Sequence, residues 1–560
     1  MKRILFNLPV YMLLFCFLPL TAQTTYHVNI NNGDDTNDGL KWSTAFESLQ
    51  TALDKAKARD TVWVSSGIYT PTKKYADKYD DGTPTTDRDC SFIIPDSVVV
   101  MGGFPANPSD ITGLGSRDWK TNRTILSGDL YGDDLYGMNV ENAYHVIILF
   151  DATPETVLDG FYIVGGNSNA PKTAFYNDNI SYPITHGCGG AIYSFSNITV
   201  ASPTLRNLII QSNTASYEGG GLFNYAFNDD ASPEITHVEF INNKAESNDN
   251  EGGLGGGLCI EGTTNHAKLT NVILSGNSAL SMASSRGGGA YFNSINDCKP
   301  EIQNTLIAGN IANAGGGAYF RSWAGTTAPV LTHVTVSGNK AMAQNNTDDS
   351  EDGGGISVIA PTGSADPVFR NTAICDNAGD KQNELLIIGR GGSIPTYSSS
   401  FIKGMDLGGT NLDGDTNTEL MFAYPGNAEN APTYSTYYNY QLRLESPLIN
   451  KGDNTYATLS EDLAGQTRVY NGTVDIGAYE SQGKEPVNNE TIFGRKTIWS
   501  HDGYLYVDVR ETVTLRIYSL NGTLIKHIDN LGEGTYNYTL PQGLYFVTFS
   551  NGTAEKVVIR

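Results

Sequence analysis

The sequence predicts an all-β protein, a β-helix of stacked coils followed by a small C-terminal β-sandwich, and three observations carry that prediction. Glycine runs recur at Gly189, Gly219, Gly255, Gly287, Gly315 and Gly353, each opening a short apolar or aromatic segment such as Gly-Ala-Tyr-Phe. Downstream of every run a polar residue interrupts a β-branched stretch, at Asn207, His237, Asn271, Asn304, His333 and Asn371. Six residues later comes an asparagine: Asn213, Asn243, Asn277, Asn310, Asn339 or Asn377. That offset never varies, although successive units lie 29 to 38 residues apart. A stacked wall admits no insertion and a surface loop does, so a fixed offset between variable spacings marks strands piled in register. Within the units the alternation has period two, and no segment has helical spacing.

Residues 1–22 read as an export signal. Lys2 and Arg3 precede an apolar run interrupted by Pro9 and Pro19, and Leu20-Thr21-Ala22 offers small residues for cleavage, so the mature chain is expected to begin at Gln23. No later stretch has the apolar length that a bilayer requires, so no transmembrane segment is expected after signal removal. Residues 23–481 are expected to form the β-helix. Open strand edges at the ends of a stack need covers. Phe46, Leu49, Leu53 and Ala56 fall at spacings of three and four, one face of an amphipathic helix over 45–58 that would supply the N-terminal cap. Each following unit is one coil, rising roughly 4.8 Å. The repeated asparagine is expected to take the left-handed backbone at a bend between walls and to bond its amide to the next in the stack. The glycine runs mark another bend, and the tyrosine-rich residues 420–480 are expected to cover the far end. Residues 482–490 have linker composition. From 491 to 560 alternating strands are joined by Asn521-Gly522 and Asn551-Gly552, which favour two-residue hairpin turns.

The net charge of −24, with no basic run, excludes nucleic acid as a partner, because counterion release needs a basic stripe. Cys90, Cys188, Cys259, Cys298 and Cys375 are widely spaced, without Cys-x-x-Cys, and make no disulfide framework. His186 and Cys188 lack the companions a metal site needs and read as turn and core residues. No cofactor is expected; two acidic loops read either as solvated turns or as oxygen ligands for a hard cation such as calcium: Asp34, Asp35 and Asp38 among Asn31, Asn32 and Asn37, and Asp413, Asp415 and Glu419 with Asn417. Neither has EF-hand spacing; counted from Asp34, position twelve is Ala45. Just after the glycine runs, alternation places Ile192, Leu222, Leu258, Ala290, Ala318 and Ile356 on one face and Tyr193, Phe223, Cys259, Tyr291, Tyr319 and Ser357 on the other. With the aliphatic face in the core, Tyr193, Phe223, Tyr291 and Tyr319 line the outside, either as a ladder that stabilises the stack or as a glycan-binding platform.

The Gly-Gly-Gly-Ala-Tyr to Asn-x-Ala pattern over about residues 187–380 resembles right-handed parallel β-helix proteins with polymorphic-outer-membrane-protein-like repeats. Upstream, the stretch from Asn31 to Gly39, Trp42-Ser-Thr-Ala-Phe46 and Asp60-Thr-Val-Trp-Val64 are similar to the opening of secreted pectate-lyase-like β-helices. Downstream, Ser446-Pro-Leu-Ile-Asn450-Lys-Gly452 and Asp475-Ile-Gly-Ala-Tyr-Glu480 resemble the closing segment of surface-anchored ones. Val513-Thr-Leu-Arg-Ile-Tyr518, Leu540-Pro-Gln-Gly-Leu-Tyr545 and Lys556-Val-Val-Ile559 resemble the sorting domain of the type IX secretion system of Bacteroidota, without the Tyr-Pro-Asn-Pro that commonly opens it. The resemblance implies a secreted or cell-surface protein, associated with the outer membrane and handled by a secretion machinery.

Function is less legible. Among β-helix proteins a hydrolase needs converging carboxylates, and a lyase needs a basic residue beside a neutraliser of the substrate's carboxylate. The wall positions read instead as Asn, Thr, Ser and aliphatics, and Arg206, Lys268, Arg286, Arg321 and Arg370 share no register, so no catalytic constellation is expected. Neither Gly-x-Ser-x-Gly nor His-Glu-x-x-His occurs. The expectation is a non-catalytic adhesion or glycan-binding protein whose partner is an extracellular polysaccharide or a cell-surface glycan. The alternative is a polysaccharide lyase or glycoside hydrolase. Mass analysis of the exported protein is expected to place its N-terminus at Gln23; an intact Met1, or a lipid on Cys16, would refute the export reading.

Overall fold

The computed structural model describes residues 23–486 and 498–559, with short gaps at 109–110, 112, 135–137, 172, 177–181, 198, 248–251, 283, 343–352, 381, 418–420, 437, 502–503, 510–511, 521, 533, 542 and 551–553. The proposed signal peptide and residues 487–490 of the linker therefore lie outside the described residues. From Thr25 to Ile402 the chain winds into a right-handed parallel β-helix with three walls. The first wall is a nine-stranded parallel sheet that includes Ile192–Ser196, Leu222–Ala226, Leu258–Gly262, Ala290–Ser294, Ala318–Ser322 and Ile356–Ala360. The second is a seventeen-stranded sheet with strands such as Glu234–Ile241, Glu301–Ala308 and Val330–Ser337. The third is a narrow six-stranded sheet of short pieces such as Ser278–Leu280.

Each coil runs from a glycine run into the first wall, through a loop into the second, and round a sharp bend into the third. The polar residues inside the second wall take left-handed backbone, Asn271 at φ 56° and Asn304 at φ 53°, which kinks the wall outward at one level. The repeated asparagines do not themselves turn left-handed, contrary to expectation. The residue before each one does, Ser212, Asn242, Gly276, Gly309, Gly338 or Asp376, and the asparagine then points its amide into the bend. At the other corner Gly287 sits at φ 65°. A side chain on Gly288 would lie 2.4 Å from the Gly316 carbonyl oxygen of the next coil, so only glycine lets the coils stack there.

The interior is a continuous apolar column. Ile192, Leu222, Leu258 and Ala290 of the first wall meet Ile210, Phe240, Leu274 and Ile307 of the second, and the Phe292 and Phe320 rings stack at 5.0 Å. The cap helix forms, but only over Leu49–Lys55; the Ser48 side chain accepts from the Gln50 N–H, and Leu49, Ala52 and Leu53 face the core. At the far end Leu407 packs against the core.

Residues 421–480 do not close the end as expected. They lie along the outer face of the second wall, where Met421, Phe422, Tyr440, Leu442, Leu448 and Ile476 pack on Leu306, Ala308, Ala373 and Cys375. The physical reason is that these outward positions are apolar and need burial. Arg468, 1% exposed, fastens this cover: its guanidinium donates to the Gly477 and Ala478 carbonyls and to Asn304 Oδ1. Strands between Ile498 and Ile559 form two antiparallel sheets, of three and four strands, around a separate core that includes Leu505, Val507, Leu515 and Val547. Among the described residues no helix is long and apolar enough to cross a membrane.

The buried asparagines form one ladder. Asn310 donates through its N–H (2.9 Å) and Nδ2 (2.8 Å) to Asn339 Oδ1 and through Nδ2 to the Leu274 carbonyl at 2.9 Å, and it accepts from Asn277 N and Nδ2. Asn310→Ala leaves several of these groups buried and unpaired, each costing about 1–3 kcal/mol. Urea unfolding is expected to show a loss of about 3 kcal/mol; a loss below about 1 kcal/mol would mean the ladder does not hold the coils.

Candidate functional site

Because strands alternate and coils stack in register, outward residues of the first wall form columns. One runs Tyr193, Phe223, Cys259, Tyr291, Tyr319, Ser357; the next runs Phe195, Tyr225, Glu261, Asn293, Arg321, Ile359. The first column departs from the platform expectation. Its four rings do point away from the core, yet Tyr193, Phe223, Tyr291 and Tyr319 are no more than 5% exposed. Tyr75, Tyr79, Ala174, Ile184 and Cys188 join them in a second apolar cluster, Tyr193 donates to the Pro183 carbonyl at 2.9 Å, and the Arg286 guanidinium lies 5.5 Å from the Tyr319 ring centre. Ring spacings of 5.4 Å (Tyr193–Phe223) and 5.6 Å (Tyr291–Tyr319) are those of a ladder that stabilises the stack. Covered faces give a sugar nothing to pack on.

The second column carries charge where its other coils carry Phe, Tyr and Ile. Glu261 accepts from Asn293 Nδ2 at 3.3 Å, and Arg321 follows in the same register. A third line of parallel contacts, just before the glycine runs, stacks Cys188, Glu218, Leu254, Arg286 and Ala314. It brings Glu218 up beside the columns, with the Cys188 thiol directed at Glu218 Oε2 at 3.9 Å. Both carboxyls are partly exposed and each feels the other. Burial pushes Glu261 up to about 7, opposed by the Asn293 hydrogen bond and the Arg321 charge. Burial, followed by the Glu261 charge, holds Glu218 well above the usual carboxylate range. The two carboxyls titrate as a pair. Arg321 and Asn293 favour the anion on Glu261, so Glu218 keeps the proton.

Two polar atoms beside the pair, Asn293 Oδ1 and Arg321 Nε, are buried without a hydrogen-bond partner. Farther along the wall Phe227, Ile295 and Trp323 continue the coil register through backbone hydrogen bonds, and each is about half exposed, at 50%, 53% and 49%. The Arg321 guanidinium lies 3.6 Å over the Trp323 ring. Two carboxyls raised by burial, flanking guanidinium groups and a rim of apolar side chains therefore share one face. This overturns the expectation that no such constellation forms. Glu218 and Glu261 are far apart in sequence, and Arg286 and Arg321 occupy different columns, as expected from their spacing, but both columns border the pair. The one signal in the sequence was a charge at an outward strand position that other coils fill with Phe195, Tyr225, Asn293 and Ile359.

The acidic loops do not gather their carboxylates. Asp34 accepts from Thr36, Asp35 from the Ser48 N–H, and Asp38 from the Leu40 N–H and the Thr44 hydroxyl, each satisfying a different loop donor. Asp413 accepts from the Asp415 N–H and the Thr416 hydroxyl, whereas Glu419 lies outside the described residues. His186 is a core residue, as expected: Tyr75 contacts its Nε2 at 2.7 Å, Asp89 lies at 3.3 Å, and Tyr144 stacks on it at 4.1 Å.

No family model matches the chain, and no curated protein matches it. Among solved structures it is similar to pectate lyase Pel9A, at 11% identity and TM-score 0.36 over 82% of this chain and 97% of that one. It is also similar to a rhamnogalacturonan lyase, at 11% identity and TM-score 0.32 over 67% and 87%. The lacto-N-biosidase of family GH136 from Eubacterium ramulus aligns at 12% identity and TM-score 0.29 over 68% of this chain and 64% of that one.

A carboxyl whose folded pKa is raised binds its proton more tightly in the native state, so its contribution is full below the ordinary value of 4.5 and is lost as pH rises towards about 7. The stability of Glu261→Gln relative to the parent is therefore expected to rise between those pH values and level off above them. Urea unfolding across pH 4 to 8 measures the difference; a flat difference curve would remove the raised acid from this site.

Proposed function

We propose that the protein binds an extracellular polysaccharide on the outer face of the first wall and hydrolyses its glycosidic bonds with Glu218 and Glu261. The observation that carries this reading is the pair itself, two partly exposed carboxyls on one outer face, both pushed up by burial, with Asn293 and Arg321 favouring the anion on Glu261. Glycoside hydrolysis needs that asymmetry. Glu218, the protonated member, donates to the leaving-group oxygen as the bond to the anomeric carbon breaks. Glu261, kept anionic by Arg321 and Asn293, acts on the opposite side as base towards water or as nucleophile. Trp323, Phe227 and Ile295 offer apolar surface to sugar faces, and Asn293 Oδ1 and Arg321 Nε offer a free acceptor and donor to hydroxyls.

A second reading, glycan binding or adhesion without chemistry, is favoured by the exposed row Phe227, Ile295 and Trp323, which can retain a sugar chain with no help from the carboxyls. Export through residues 1–22 and surface display through residues 491–560 belong to both readings. Their support is the pattern of the N-terminal segment and the separate core between Ile498 and Ile559.

The test is incubation of the pure protein with a panel of neutral and acidic polysaccharides. Hydrolysis releases new reducing ends, and Glu218→Gln and Glu261→Gln are each expected to slow that release by about 10²–10⁴-fold while leaving retention on the same polysaccharide intact. Trp323→Ala is expected to weaken retention. Retention without any product would leave the adhesion reading standing, and ultraviolet-absorbing unsaturated ends would replace hydrolysis with elimination.

A further inference from the structure

Between the second-wall strand Thr124–Ser127 and the first-wall strand Ile147–Phe150, residues 129–134 and 141–142 bring carboxylates together. Asp129 accepts from the backbone N–H groups of Gly132 (2.7 Å), Asp133 (3.1 Å) and Asp134 (3.2 Å), folding the chain round its own side chain. Glu141 then returns to the same place. Oxygens of Asp129, Asp133 and Glu141 lie within 4.8 Å of one another.

Two further observations separate this cluster from an ordinary acidic turn. Asp133 Oδ1 and Glu141 Oε1 are shut off from solvent and have no hydrogen-bond donor. Asn142, 2% exposed, binds Asp134 and the Gly165 carbonyl through Nδ2, lines a cavity of about 240 Å³ with Asp134, Gly165 and Asn167, and leaves its buried Oδ1 without a donor as well. Buried acceptors with no donor are costly unless a cation satisfies them. An all-oxygen donor set with several carboxylates suits a hard cation of high coordination number.

We propose that Asp129, Asp133 and Glu141 form a calcium site that ties residues 129–134 to Glu141. The site is independent of the Glu218–Glu261 pair. It fixes a segment already tied to its neighbours, since Arg88 Nε donates to the Asn142 carbonyl at 2.7 Å and the Asn167 side chain donates to the Asn139 carbonyl at 2.7 Å.

The test is calorimetric titration of the full chain, stripped with chelator, with CaCl₂ and separately with MgCl₂. One calcium site is expected, weakened at least tenfold by Asp133→Asn and by Glu141→Gln and unchanged by Asp38→Asn in the N-terminal acidic loop. Circular dichroism checks that the variants fold. The parent, needing no substitution, is expected to show a higher Tm with calcium than with chelator. Absence of calcium binding by the parent, retention of its affinity in both variants, or magnesium binding as tight as calcium binding would each overturn the proposal.

Discussion

Every coil is held in place by hydrogen bonds to the coil beneath it, and the buried asparagine ladder is the strictest expression of that constraint. From Asn213 to Asn377 each side chain accepts from the previous rung and donates to the next, and the last rung donates to Glu384, a carboxyl that burial pushes up to about 7. The donors must meet their acceptors at one height per coil. The chain therefore cannot gain or lose a residue between the left-handed kink in the second wall and the ladder six residues on. The glycine corner obeys the same constraint: backbone of one coil rests on backbone of the next, where no side chain fits.

With the interior committed to stacking, the individuality of the protein lies on its outer faces. The second wall has an apolar outer patch that includes Leu306, Ala308 and Ala373, and the segment from Met421 to Glu480 covers it through Phe422, Tyr440 and Ile476 and the buried Arg468. This gives physical roles to the Asp475-Ile-Gly-Ala-Tyr-Glu480 stretch. Gly477 and Ala478 supply carbonyls to Arg468, while Glu480 accepts from the N–H groups of Tyr470 and Asp475. The first wall is covered by the hairpin of Thr173–Tyr176 with Tyr182–Thr185 and by the segment around Tyr75 and Tyr79. Farther along that wall, Glu261, Asn293 and Arg321 stand where Phe195, Tyr225 and Ile359 stand in other coils, and there the surface changes from packing to polar chemistry. The same outward position serves burial in one coil and a charged site in another because the core-facing side of each strand is unaffected.

Much of this was legible in residue pattern. The alternation that put Ile192, Leu222 and Leu258 inside and Tyr193, Phe223 and Tyr291 outside holds in every coil, since period-two geometry leaves a strand no choice. The cap helix was legible from Phe46, Leu49 and Leu53. The left-handed residue was misplaced by one position, because Ser212 and Asn242 carry the same turn chemistry as the asparagines they precede. The cover over residues 421–480 was assigned to the wrong surface, because its irregular chain has no periodicity to say which face it meets.

What the sequence by itself determined is the coil: its wall order, the side chains turned inward and the level at which each asparagine sits, all set by short-range spacing that repeats along the chain. Which outward groups meet only the tertiary structure decided. Glu218 precedes a glycine run and Glu261 lies inside a strand of the next coil, and no spacing rule relates the two positions. Whether an outward ring such as Tyr291 is exposed depends on what packs over it from elsewhere in the chain. The same holds for Asp129, Asp133 and Glu141, whose oxygens lie within 4.8 Å of one another, beside Asn142, which binds the Gly165 carbonyl in a different coil. Local pattern sets the direction a side chain leaves the backbone, and long-range packing sets what it finds there.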